Sequence, residues 1–372
     1  MHLQSLRLQD FRSYHTLLMT PPKGVIVIIG ENGTGKTNLL EAIHLCCIGK
    51  SHRTNADGDM IAHEASSCAV QLVVSRNDGH HDVGIRLYRQ QRKKKLLYLN
   101  GKVAPRLGEM MGHATCVMFS PEDLNIVKDG PAQRRRFLDM LLCQCQGAYF
   151  YALQTYNACL KQRNALLKSL KFGGDANQLD VWDRQLANAS TSVVRFRHDA
   201  IATINTFARA HYAFIADTDT EKLVTKYHSQ IDPQNPYETH YNALKQARNE
   251  DIRRQTTSVG PHRDDILLTL KDKELRSFGS QGQMRTAALS LKLGSFDLLA
   301  KTQGEAPLLL LDDVLSELDP KRRRKLIERI KDAQAFLTCT DASDFIGATP
   351  ACVLEVNNGS VREYISADTQ KQ

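Results

Sequence analysis

The run VIVIIGENGTGKTN, Val25 to Asn38, decides how this chain is read. Five β-branched apolar residues in succession predict a strand buried on both faces, as in the middle of a parallel sheet. Gly30-Glu31-Asn32-Gly33-Thr34-Gly35-Lys36-Thr37 then satisfies G-x-x-x-x-G-K-[ST] at every fixed position. Without Cβ atoms, the glycines let backbone N–H groups wrap phosphates, and the helix that follows adds the positive end of its dipole. Lys36 would reach the β- and γ-phosphates, and Thr37 would hold Mg²⁺. In KTNLLEAIHLCCIG, apolar residues at Leu39, Leu40, Ile43 and Cys47 predict an amphipathic helix, with Gly49 as its stop. The segment therefore predicts a nucleoside-triphosphate cradle built from Gly30, Asn32, Gly33, Gly35, Lys36, Thr37 and Asn38, with ATP and Mg²⁺ as its ligands.

PLLLLDDVLSELD, Pro307 to Asp319, supplies a second half. Four leucines predict a buried strand that delivers Asp312 to the sheet edge, where a carboxylate can hold Mg²⁺ through water. Asp313 comes next and could position or deprotonate an attacking water. Lys36, Asp312 and Asp313 are the candidate catalytic residues, and Thr37 and Asp312 the candidate metal ligands.

About thirty residues before Asp312, FGSQGQMRTAALSLKLG opens a helix on Ser280-Gln281-Gly282-Gln283. It resembles the ABC-ATPase signature S-G-G-Q, with Gln281 in place of the first glycine. In that family the serine, the glycine backbone and the helix N-terminus clasp the γ-phosphate of a nucleotide held by another protomer, a second anion site of the same physical type. SELD, Ser316 to Asp319, resembles the D-loop that crosses the dimer interface, although Asp319-Pro320 also reads as a plain helix start. After the next strand the chain reads LTCTDASD, with Thr340 and Asp341 where transporter ATPases carry a histidine. That departure, with the short carboxylate of Asp313 where a glutamate is usual, predicts slow hydrolysis.

The 372 residues suffice for one large domain or two smaller ones. No apolar run of about 18 residues predicts a membrane span, and MHLQSLRLQDF reads as a strand, not a secretory leader. Nine cysteines without a CxxC spacing exclude a disulfide framework or a paired-CxxC zinc site and fit a cytoplasmic protein. A formal charge of +8 favours a polyanionic partner. CAVQLVVS, DVGIRLYR and KKKLLYLNGKVA predict an antiparallel section, the last turning at Asn100-Gly101. From about Pro131 to Arg248 the chain reads as mainly helical, broken at KFGGDANQ, Lys171 to Gln178, without the sustained heptads of a coiled coil. The fold class is α/β: a P-loop ABC-type ATPase head with a mixed sheet and an antiparallel section, plus an inserted helical lobe. The expected head covers 1–130 and 250–372, and the lobe covers 131–249.

LRLQDFRSY, GENGTGKTNLLEAI, FSPEDLNIVKDGPAQRRRFLD, SVGPHRDD, GSQGQMRT and LLLLDDVLSELD together resemble the RecF family, SMC-like ABC ATPases of bacterial DNA replication and repair. The resemblance implies an ATP- and Mg²⁺-dependent homodimer that holds DNA, single-stranded or duplex and including gap junctions, and releases it on slow hydrolysis. It implies work with RecR and RecO in loading RecA at gaps and stalled forks, upstream of the SOS response. It carries Lys36, Thr37 and Asp312 over as the nucleotide site, Ser280, Gly282 and Gln283 as the trans site, and Arg12 as a residue near the nucleotide. Asp123 sits near the Q-loop region without the glutamine, and Arg263, Asp264 and Asp265 match a family string whose mechanics the residues do not reveal.

QRRRF (Gln133 to Phe137), KRRRK (Lys321 to Lys325) and QQRKKKLLY (Gln90 to Tyr98) are candidate phosphate contacts, each also readable as a solvated face. No helix-turn-helix, zinc finger or aromatic RNA platform is evident, so binding is expected to be independent of sequence. The alternatives are an ABC transporter ATPase subunit, which would carry the missing histidine and a Q-loop glutamine, and a small-molecule phosphotransferase, which would need neither signature nor D-loop.

Overall fold

A computed structural model of the chain describes residues 1–90, 94–170, 175–218, 220–340, 345 and 349–364. Asp341, part of LTCTDASD, lies outside the described residues, as do Lys171–Gly174 of the expected helix break and Gln91–Lys93 of the third basic run.

The chain opens with β1 (His2–Phe11), β2 (Tyr14–Met19), β3 (Val25–Ile29) and α1 (Lys36–Ile48). Next come β4 (Ser67–Arg76), β5 (Gly79–Tyr88), β6 (Lys95–Leu99), β7 (Lys102–Ala104), α2 (Leu107–Met110) and β8 (Cys116–Phe119). Then follow α3 (Asn125–Lys128), α4 (Pro131–Cys145), α5 (Gly147–Leu170), α6 (Gln178–Ala216), β9 (Leu223–His228) and α7 (Pro236–Arg254). The chain continues through β10 (Asp265–Leu270), β11 (Lys273–Glu274), α8 (Leu275–Phe278) and α9 (Gln281–Gln303). It closes with β12 (Leu308–Asp312), α10 (Pro320–Ile330), β13 (Ala335–Thr338), β14 (Cys352–Asn357) and β15 (Ser360–Glu363).

Two compact units result: Met1–Asp123 with Phe214–Thr218 and Ser295–Gln372, and Leu124–Ala213 with Asp219–Gly294. In the first, a sheet ordered β15-β14-β3-β13-β12-β8 is parallel except for β15. Its central strands are buried along their length, as the runs VIVII and LLLL require. An antiparallel sheet, β2-β1-β4-β5-β6-β7, makes the second layer. Along β4 the residues Cys68, Val70, Leu72 and Val74 face inward, the period-two pattern of a half-buried strand. The β6–β7 hairpin turns at Asn100-Gly101, both with positive φ (49° and 75°), as a two-residue turn of this hand demands.

Helix α1 touches strands of both layers. It is therefore buried on all sides, Glu41 and His44 included. The expected amphipathic helix has no solvent face in its C-terminal three turns, because a helix between two sheets has nothing but protein around it.

In the second unit β9 pairs with β10 and β10 with β11 in a small antiparallel sheet. A strand thus interrupts the stretch expected to be mainly helical: LVTKYH buries Leu223 and Thr225 against a partner some forty residues on. That pairing, with the bidentate Arg134–Asp265 contact described below, draws 250–294 into this unit, whereas the sequence places those residues in the head. Helix α6 has 39 residues. Gly294 of α9 lets α6 approach closely, since a Cβ there would lie 3.1 Å from the backbone nitrogen of Ala208. Among the described residues no helix is long and apolar enough to cross a membrane.

Candidate functional site

Strand β3 ends at Gly30, whose φ of +148° and nearness to the Val356 carbonyl (2.4 Å from a hypothetical Cβ) suit only glycine. Gly35 has a φ of +117°, and a Cβ there would meet Ser13 Oγ at 2.8 Å and the Tyr14 hydroxyl at 3.1 Å. The Tyr14 hydroxyl donates to the Gly35 carbonyl at 3.0 Å and so pins the loop to the β1–β2 turn. Burial pushes the Tyr14 phenol well above its usual range, so it remains a donor.

A cavity of about 480 Å³ lies over this loop. Asn32, Gly33, Gly35, Lys36, Thr37 and Asn38 line it together with Asp312 and Asp313. The P-loop and the two carboxylates, predicted from opposite ends of the chain, thus meet at one site. Lys36 Nζ donates to the carbonyls of Gly30 and Glu31, the latter at 2.8 Å. Burial lowers the Lys36 pKa, opposed by the charges of Asp313, Cys339 and Asp312.

Strands β12 and β13 lie in parallel register with Asp312 opposite Thr338. Asp312 Oδ1 accepts from Thr37 Oγ1 at 2.9 Å and from Thr338 Oγ1 at 2.9 Å, and the Asp313 N–H donates to Thr338 Oγ1 at 2.9 Å. Asp313 takes a φ of +51°, a left-handed turn that ends the strand. Thr338 escapes sequence reasoning because only sheet register places it beside Asp312.

Arg12 does not line the cavity. Its Nε and Nη2 donate to both oxygens of Glu41 (2.8 and 2.7 Å) and its Nη1 to the Asp59 carbonyl (2.7 Å). Ser51 Oγ also donates to Glu41, at 2.5 Å. Burial alone would raise the Glu41 pKa, but the hydrogen bonds from Arg12 and Ser51 and the charges of Arg12 and Arg53 bring it below its ordinary value. Arg53, unmarked in the sequence, lines the cavity and donates to Asn38 Oδ1 at 2.9 Å. In SPEDL, Asp123 caps its own turn by accepting from the Ser120 N–H at 2.9 Å, and Glu122 faces the cavity instead.

Ser280, Gly282 and Gln283 belong to the second unit. The Ser280 N–H donates to Gln283 Oε1 at 2.9 Å and the Gln283 N–H to Ser280 Oγ at 3.2 Å, a reciprocal capping box on α9. Gln283 Nε2 also donates to Glu221 at 3.0 Å. In SELD, Asp319 accepts from the N–H groups of Lys321 and Arg322 (3.1 and 3.0 Å), so the helix-start reading holds.

The basic runs are largely engaged within the fold. Arg134 is buried and grips Asp265 through two nitrogens (2.6 and 2.9 Å), while Arg135 donates to the Asp264 carbonyl at 2.7 Å. This explains GPHRDD: Asp265 and Asp264 anchor α4 to β10, and Arg263 donates to the Thr257 carbonyl at 3.1 Å. Lys321 and Lys325 bind Asp217 (2.5 and 2.7 Å), and Lys325 also donates to the Phe214 carbonyl. Lys95 donates to the Gly49 carbonyl at 2.7 Å and pairs with Asp57. Arg136 and Arg324 are the exposed arginines of the first two runs.

The cradle fits a triphosphate: its positive-φ glycines leave room where a Cβ would clash, and one ammonium is poised on the loop carbonyls. Two hydroxyls converging on one carboxylate make the hard oxygen set that Mg²⁺ takes with one or two carboxylates plus phosphate oxygens. Among the described residues no group of three His, Cys, Asp or Glu could hold a metal unaided, so the nucleotide's own oxygens would complete the shell.

Sheet, loop and carboxylates define the head of an ABC-type P-loop ATPase. The family model described as RecF/RecN/SMC N terminal domain matches residues 2–357. The DNA replication and repair protein RecF of Acetivibrio thermocellus is 38% identical over 352 residues, covering 93% of this chain and 95% of that protein. RecF of Halothermothrix orenii is 39% identical over 378 residues, covering 98% and 100%. A solved structure of the recombination mediator protein RecF with ATP, in the RecFOR pathway, superposes with a TM-score of 0.90 at 31% identity over 98% of both chains. An Smc head from Pyrococcus furiosus shares the fold, with a TM-score of 0.58 at 16% identity. The chain belongs to the RecF family of SMC-like ABC ATPases.

Proposed function

We propose that the chain is an ATP-gated DNA-binding protein of recombinational gap repair and fork restart. ATP and Mg²⁺ occupy the cavity lined by Lys36, Thr37 and Asp312. Two copies close on the nucleotides, Ser280, Gly282 and Gln283 of one copy facing the γ-phosphate held by the other, and the closed pair retains DNA. Hydrolysis is slow, with Asp313 orienting water, and it releases the DNA. RecR and RecO are the partners, and RecA loading is the outcome. Support comes from the relatives' description as DNA replication and repair proteins and from the RecFOR pathway named for the solved structure. The formal charge of +8, doubled in a pair of chains, suits a polyanion. The observation that carries the reading is the convergence of Lys36, Thr37, Asp312 and Thr338 on one cavity.

The test is DNA retention by the full chain with ATP, without ATP, and with Lys36→Ala. Retention should need ATP, vanish in the variant, and weaken with salt at a log–log slope near −0.9 per phosphate contacted on duplex DNA. Binding indifferent to ATP and to Lys36→Ala overturns the proposal.

A further inference from the structure

We propose that Glu41 is a positioning residue of the nucleotide cavity, its buried carboxylate holding the Arg53 guanidinium at the cavity wall to meet the phosphates. The inference rests on the nucleotide reading above and assigns that site two residues outside its sequence motif.

A carboxylate with no exposed surface costs several kcal/mol to bury unless it is paired and hydrogen-bonded. Glu41 is 0% exposed, in the middle of the helix that follows the phosphate loop. Arg12 alone would neutralise it, by the bidentate contact at 2.8 and 2.7 Å. A second guanidinium nevertheless approaches, with Arg53 Nη1 3.5 Å from Glu41 Oε2. Two cations on one carboxylate leave one positive charge over, and the geometry says which group carries it into the cavity. Arg12 has spent its remaining nitrogen on the Asp59 carbonyl and its side chain is 20% exposed, whereas Arg53 is 43% exposed and lines the cavity.

Arg53 is held from a second side. Asn38 Oδ1 accepts from Arg53 Nη1 at 2.9 Å, and Asn38 Nδ2 donates to Ser13 Oγ at 3.0 Å. Ser13 Oγ is the atom that a Cβ on Gly35 would strike. Ser51 Oγ, which donates to Glu41, also accepts from the N–H groups of Arg53 and Thr54 (2.9 and 3.1 Å), fixing the backbone on which Arg53 stands. One carboxylate therefore ties the helix, the β1–β2 turn and the segment after α1 to the rim of the phosphate loop. A planar guanidinium fixed in this way presents its remaining N–H groups to phosphate oxygens with little rotamer entropy left to lose.

The experiment measures ATP affinity of the full chain by calorimetry for wild type, Glu41→Gln, Arg53→Met, the double variant and Glu41→Asp, with Trp182 fluorescence to verify folding. Each single variant should weaken ATP about tenfold, and the double variant about tenfold also, because both remove one positioned group. Glu41→Asp, which keeps the charge, should recover part of the loss. Multiplicative losses near a hundredfold, or Arg53→Met without effect, overturn the proposal. If Glu41→Gln does not fold, Glu41→Asp combined with Arg53→Met completes the same cycle. A wild-type chain that binds no ATP overturns the nucleotide reading and this inference with it, an outcome distinct from wild-type binding with independent losses.

Discussion

Thr37 Oγ1 donates to Asp312 Oδ1 at 2.9 Å across 275 residues of chain. The contact joins the first turn of α1 to the end of β12, and Thr338 on the neighbouring strand grips the same oxygen at 2.9 Å. Because one carboxylate oxygen serves two hydroxyls, Oδ2 is the atom free of these two contacts to bind a metal-held water, and its direction is fixed by them. A position defined from three elements is the preorganisation that electrostatic catalysis requires.

Asp312→Asn keeps the size of the side chain and an oxygen for both hydroxyls but removes the charge. ATP should still bind through Lys36 and the loop amides, while the gain that Mg²⁺ brings is lost. Turnover should fall about 100-fold or more, the scale of several kcal/mol of lost metal stabilisation. Nucleotide affinity with and without Mg²⁺, together with single-turnover phosphate release, checks this. An unchanged Mg²⁺ effect would remove Asp312 from the metal site.

Arg134→Ala separates structural from DNA-contacting arginines. Arg134 and Asp265 have side chains 7% and 17% exposed, so removing one partner leaves the other largely buried and unpaired. The cost should be about 3–5 kcal/mol, read as a lower urea midpoint. Arg136→Ala and Arg324→Ala should leave that midpoint in place, since both side chains are exposed. Comparable unfolding in all three variants would contradict the role assigned to the Arg134–Asp265 pair.

The second unit should be acid-sensitive above the range of carboxylates. His240 is fully buried between Ser190 Oγ (2.7 Å) and the Val259 carbonyl, and burial depresses its pKa from 6.5 to about 3. His262 sits between the Tyr156 hydroxyl (2.6 Å) and the Thr257 carbonyl, and burial depresses it to about 4. Below pH 6.5 the unfolded chain takes protons that the folded chain refuses, so stability is complete above that pH and falls as pH drops towards 4. Each histidine contributes a slope of up to about 1.4 kcal/mol per pH unit. The single tryptophan, Trp182 on α6, reports the transition. The urea midpoint should drop between pH 6.5 and 4.5, and His240→Gln should flatten that dependence even if it lowers the midpoint at pH 7. An equal slope in the variant would exclude His240 as its source.

The head was legible because phosphate binding dictates residue types at fixed spacing: Gly30 to Thr37 and Asp312 could be placed without knowing any contact. Glu41 was not, since a glutamate on a helix after a phosphate loop ordinarily faces water, and only the second sheet closes over it. Arg134 was opaque for a related reason. Its partner, Asp265, lies 131 residues away, and nothing local distinguishes a buried arginine from its exposed neighbour Arg136. Strand β9 was absorbed into a helical stretch because its pattern becomes decisive only when β10 is beside it. Local rules thus reached the motif, and long-range pairing determined what the charges around it do.

Ser280 offers the sharpest test of a site shared between two copies. Its hydroxyl caps α9 by accepting from the Gln283 N–H at 3.2 Å, so Ser280→Ala costs that cap, about 1 kcal/mol. A loss of dimer in Ser280→Ala alone could therefore reflect a frayed helix. Ser280→Asp divides the two effects. Aspartate caps as well as serine, so the helix stays intact, yet it sets a carboxylate where the partner's γ-phosphate is expected. Ser280→Arg keeps a positive charge there but adds bulk and loses the cap. ATP binding by the monomer should survive in all three, since Lys36 and Thr37 are untouched. ATP-driven dimerisation, followed by analytical ultracentrifugation, should persist at least in part for Ser280→Ala and vanish for Ser280→Asp and Ser280→Arg. An undiminished ATP-dependent dimer in Ser280→Asp would mean that no phosphate approaches this helix end, and the composite site would have to be given up.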